Sequence, residues 1–114
     1  MSVEQGAGGR TPELAVILTT VETDAEARTL AARLLEERLA ACVQLSRIDS
    51  LYLWENAVAE EAEIRMMIKT PAERLAAATA AIAAAHPYEV PQILVLEAAS
   101  GHAPYLAWAR AVTG

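Results

Sequence analysis

Ser50-Leu51-Tyr52-Leu53-Trp54-Glu55-Asn56, with Ile64-Arg65-Met66-Met67-Ile68-Lys69 beyond it, is the stretch whose reading decides the fold. Ile64, Met66 and Ile68 alternate with Arg65, Met67 and Lys69, which is the period of a strand with one buried face. Asn tolerates positive φ, so Asn56 reads as the turn between two extended segments. Together they predict a long hairpin. Just before it, Cys42-Val43-Gln44-Leu45 starts an extended pattern, which Ser46-Arg47-Ile48-Asp49 interrupts.

On either side of the hairpin the period changes. Leu14 to Thr20 is a short apolar run, read as a buried strand. Thr23-Asp24-Ala25-Glu26 has the form of a capping box. Behind it Ala27, Leu30, Ala31, Leu34, Leu35 and Leu39 recur at helical spacing, predicting a helix over about 24–40. Thr70-Pro71-Ala72-Glu73 predicts a second helix start, with Thr70 as cap and Pro71 at the first helical position. That alanine-rich helix should stop at His86-Pro87, and a last strand follows over 91–97. Tyr105, Leu106, Trp108, Ala109 and Val112 mark a terminal helix.

The order βαββαβ plus a helix predicts an α+β, ferredoxin-like sandwich. It has an antiparallel four-stranded sheet, a long hairpin between its second and third strands, and a C-terminal helix. Residues 1–12 read as a flexible tail, and 13–114 as one domain.

Composition narrows the function. Nine basic against fifteen acidic residues give a net charge of -6. That argues against nucleic acid or an anionic membrane as partner, because phosphate recognition needs clustered Lys and Arg. The single Cys42 excludes an internal disulfide. No basic leader with an apolar core opens the chain, and no apolar run nears the roughly 20 residues of a membrane helix. The cytoplasm is the default location. A mean hydropathy of +0.24 is high for a small soluble chain and points to apolar surface buried between subunits. No phosphate loop, zinc spacing, nucleophile elbow or nucleophile–base pair is present, so the expectation is a protein that is not an enzyme.

The chemistry that does exist gathers at His86-Pro87-Tyr88-Glu89-Val90-Pro91. Pro87 and Pro91 stiffen a connector carrying an imidazole, a phenol and a carboxylate. Two roles are open for His86, a helix-end cap and a transition-metal ligand. Two are open for Cys42, a small core hydrophobe and a soft ligand for copper. Lys69 could meet an anion at the second helix start, or lie exposed. Tyr52, Trp54, Tyr88, Tyr105 and Trp108 avoid the helical core stripes. They could line an interface or cleft, or cover the open sheet face within one subunit.

Several of these segments resemble the CutA family of divalent-cation tolerance proteins, in order and approximate spacing. They are Ile17-Leu18-Thr19-Thr20, Leu39-Ala40-Ala41-Cys42-Val43, Ser50 to Glu55, Ile68-Lys69-Thr70, His86 to Pro91 and Tyr105-Leu106-Ala107-Trp108. The resemblance spans about residues 14–112. It implies a ferredoxin-like protomer in a tight homotrimer, with edge strands paired between subunits. It also implies an association with copper and other divalent cations. Metal contact would fall to His86 and Cys42, with Glu89 and Glu63 as carboxylate partners. No tightly bound cofactor is expected, only weakly held Cu(II) or a similar ion. The alternative is a trimer like the PII signalling proteins, with Trp54, Lys69, Tyr88 and Glu89 lining an intersubunit cleft for a small anionic ligand. Two departures stand out: Asn56 where the family usually has Gly, and Ser46-Arg47-Ile48-Asp49 in place of a Pro-Gly bend.

Overall fold

The computed structural model describes residues 12–114, so the tail expected over 1–12 lies outside the described residues except for Pro12. The elements are β1 (Leu14–Val21), α1 (Asp24–Glu36), β2 (Cys42–Trp54), β3 (Ala57–Pro71), a 3-10 turn (Ala72–Arg74), α2 (Leu75–Ala85), β4 (Leu94–Glu97) and α3 (Ala103–Thr113). The sheet order is β2-β3-β1-β4, and every neighbouring pair is antiparallel. This is the expected α+β sandwich.

The alternation read in the hairpin becomes the core. Ile64, Met66 and Ile68 on β3 and Ile17 and Val21 on β1 meet Leu30, Leu34, Ala78 and Ile82 of the two helices. Ile17, Leu34, Met66, Ile68 and Ile82 are fully buried, and each such side chain stabilises by roughly 1.5–3 kcal/mol. Thr23 caps α1 through a complete capping box with Glu26.

Four local expectations are corrected. β2 runs unbroken through Ser46-Arg47-Ile48-Asp49, which pair with Arg65, Ile64, Glu63 and Ala62. Thr70 caps nothing, because it is still in the sheet opposite Ala15, and its buried hydroxyl donates to Leu39 O at 2.6 Å. Helix α1 ends at Glu36, not near residue 40, because Arg38 turns left-handed (φ 58°) and Leu39 N–H donates back to Leu34 O. The last strand begins at Leu94, since Pro91 and the connector occupy the positions before it.

Pairing with β1 ends at Val21–Ile64, while the β2–β3 ladder runs on from Ile48–Glu63 to Trp54–Ala57. Seven residue pairs thus project as a two-stranded arm, about 24 Å at 3.4 Å per residue. Glu55 and Asn56 close the arm with φ of 49° and 65°, the left-handed pair that a two-residue hairpin turn needs.

Candidate functional site

The base of the arm is where the sequence and the geometry converge. Pro87 disfavours a helical conformation at the residue before it, and His86 leaves α2 extended (φ -68°, ψ 135°). Its side chain then lies over the end of β1. His86 Nε2 is 2.9 Å from Thr20 O and 3.0 Å from Thr19 Oγ1, while Nδ1 is 3.0 Å from Tyr88 N. A carbonyl can only accept and a backbone N–H can only donate. The imidazole is therefore the Nε2–H tautomer, with its Nδ1 lone pair taken by Tyr88 N–H. Burial pushes its pKa below the usual histidine range, against opposing pulls from the Thr20 carbonyl and the Glu26 and Glu63 carboxylates.

Tyr88 continues the chain of contacts. Its ring stacks at a tilt on His86, with centroids 4.9 Å apart, and its hydroxyl donates to Glu63 Oε2 at 2.8 Å. Burial, then the bond to Glu63 and the carboxylate's charge, drive the phenol pKa strongly upward. Glu63 is only 8% exposed and sits on β3 one residue past the last β1 pair. The connector thus ties the sheet end to the arm through one phenol.

Beside Glu63 lies an open cleft of about 460 Å³, walled by Glu22, Asp24, Asp49, Glu63, Arg47, Ile48 and Ile64 among others. Four carboxylates face one guanidinium there, a field that favours cations. Of these, the sequence reading named only Glu63. The rest come together because the start of α1 and the arm base flank the same gap, and no local spacing encodes that. Thr19 and Thr20, the acceptors of His86, were read as a strand end and as part of a family-like segment, with no contact to His86.

The other predicted site residues lie apart within a protomer. Cys42 is half-buried at the start of β2, paired with Lys69, which in turn pairs with Val16. That places it two strands across and three to four residues along from Thr19 and Thr20, about 15 Å by strand spacing, whereas metal–ligand bonds are near 2.0–2.3 Å. Glu89 is exposed on the connector. Trp54 stands at the arm tip and Lys69 lies twelve residues further along β3 than Trp54's partner Ala57, about 40 Å away. Lys69 Nζ lies 5.7 Å from the centre of the Tyr105 ring. Among the described residues no three His, Cys, Asp or Glu side chains are grouped to hold a metal ion. The residues named for metal do not form one site in a single protomer.

Apolar surface is the other conspicuous feature. Leu51, Leu53, Trp54 and Val58 on the arm are 65%, 79%, 63% and 70% exposed. All four residues of the edge strand β4 are exposed as well. Tyr105 and Trp108 stack on each other at 5.6 Å, but Trp108 remains partly exposed.

A family model described as CutA1 divalent ion tolerance protein matches residues 15–112. The chain belongs to the CutA1 family. The divalent-cation tolerance protein CutA of Thermus thermophilus is 41% identical over 100 residues, covering 87% of this chain and 97% of that protein. The structure of CutA from Synechococcus elongatus PCC7942 superposes with a TM-score of 0.88 at 39% identity, covering 91% of this chain and 93% of that one. The CutA of Archaeoglobus fulgidus, described as a periplasmic divalent cation tolerance protein, gives 0.85 at 32% identity, covering 89% and 99%. This CutA-family chain therefore has the fold of those proteins, and the arm and connector described above lie inside the matched region.

Proposed function

We propose that this CutA-family chain acts in divalent-cation tolerance as a homotrimeric binding protein that holds Cu(II) or a similar ion weakly. The observation that carries the reading is the bare arm. A two-stranded ribbon is marginal on its own in water, and this one exposes Leu51, Leu53, Trp54 and Val58. Neighbouring copies would cover it, and the exposed β4 edge offers unpaired backbone groups to a further strand. Three copies follow from the family resemblance.

Ion contact in this reading is carboxylate-led. Glu63 has one oxygen on Tyr88 and lines the acidic cleft with Asp49 and with Asp24, one oxygen of which meets Arg28. Glu89 and Cys42 would add donors only from a neighbouring protomer. With few donors per protomer, affinity is low. Calorimetric titration of the assembled protein with Cu(II) should give saturable binding with a Kd of roughly micromolar to millimolar. An absence of heat up to millimolar Cu(II) would remove the ion from the proposal.

A further inference from the structure

We propose that His86 is a tautomer-locked positioning residue that ties Tyr88 and Glu63 to the end of β1, and that it does not ligate metal. Both ring nitrogens are already committed. Nε2–H serves Thr20 O and Thr19 Oγ1, and Nδ1 receives Tyr88 N–H. An imidazole binds a metal through an unprotonated nitrogen. Here the only such nitrogen is Nδ1, and coordination there would strip Tyr88 N–H of its acceptor. Turning the ring over would strand the Thr20 carbonyl instead. Either route also shifts the Tyr88 ring, which packs on His86 and carries the hydroxyl that holds Glu63. Ion binding at this end of the molecule leaves the imidazole in place.

Two further details fit this role. Glu26, a carboxylate on α1 whose charge reaches His86, already has Oε1 engaged with Thr23 N and Glu22 N at the start of the helix. The Tyr88 N–H to Nδ1 bond spans two residues, the geometry of an Asx turn, which fixes the connector directly before the arm contact.

The test is nitrogen-detected NMR of the imidazoles in the assembled, metal-free chain, followed by titration with Zn(II). His102, exposed before α3, is the internal reference. His86 should show the Nε2–H tautomer alone, and its ring signals should stay fixed through the Zn(II) titration. His86→Asn keeps an acceptor for Tyr88 N–H, and His86→Gln keeps a donor toward Thr20 O. Each variant should still bind Zn(II), weakened by no more than the roughly 10–100-fold that loss of an outer partner of Glu63 brings. An Nδ1–H tautomer, Zn(II) coordinated directly at a His86 nitrogen, or a loss of Zn(II) affinity beyond about 100-fold in both variants would overturn the proposal. If Zn(II) does not bind and His86 stays locked, this proposal stands and the ion-binding function falls.

Discussion

Replacing Tyr88 with Phe removes one hydroxyl and little else. The ring keeps its packing on His86, so no cavity opens, and Tyr88 N–H still reaches Nδ1. What disappears is the 2.8 Å donation to Glu63, a carboxylate only 8% exposed. A hydrogen bond to a charged group contributes about 1.5–3 kcal/mol, and the carboxylate left behind has lost its donor. Partial access to water from the cleft side trims that figure, so the expected cost is about 2 kcal/mol. Urea unfolding at one fixed chain concentration measures it. Glu63→Gln and the double variant complete a cycle, and the two changes should couple by about 1 kcal/mol or more. A Tyr88→Phe protein within about 0.5 kcal/mol of native, or additive single changes, would refute the claim that this phenol ties the connector to the arm.

Further outcomes follow from other contacts. Glu55 holds a left-handed conformation that suits Asn or Gly better, so Glu55→Asn should stabilise the protein by about 0.5–1 kcal/mol in the same urea assay. Arg74 donates twice to Thr113 O, at 3.0 and 2.7 Å, at the end of α3. Arg74→Ala should cost about 2 kcal/mol and speed amide exchange in α3 selectively. His86 binds its proton less readily folded than unfolded. Its contribution to stability is therefore complete above the unfolded value of 6.5 and is lost as pH falls through the lowered folded value. Unfolding free energies measured from pH 7.5 downward should decline more steeply for the native chain than for His86→Asn.

The residues differ in how far their neighbours could be read from the chain. The hairpin was legible because Ile64, Met66 and Ile68 alternate over a length that only a strand explains. The α1 start was legible because Thr23 and Glu26 satisfy each other across three residues. Its end was not. Arg38 replaces the usual glycine in the left-handed position, and its guanidinium donates to Val112 O, 74 residues away. Thr70-Pro71-Ala72-Glu73 has the spacing of a helix start, yet pairing with β1 holds Thr70 in the sheet and Glu73 bonds Arg110 instead. Sheet pairing overrode a local signal.

The site divides in the same way. His86-Pro87-Tyr88 was legible as a stiff junction, because proline's effect on its neighbour is local. Glu63 as the partner of Tyr88 depends on the register of β3 beyond the end of β1, which no spacing of 25 residues announces. The two roles open for His86, cap or ligand, could be weighed only once its nitrogens had partners. Trp54 and Lys69 were grouped in an intersubunit cleft through the family resemblance, and within one protomer they lie near opposite ends of the β2–β3 ladder. Only contact between chains can bring such residues together.

The proposed cover by neighbouring copies is best tested by the mass of the particle in solution. Light scattering across a chromatographic peak at micromolar protomer should return three copies of the 12.2 kDa chain, about 37 kDa, with Leu53, Trp54 and Val58 covered. A peak at 12.2 kDa would leave the arm bare in water and contradict the account.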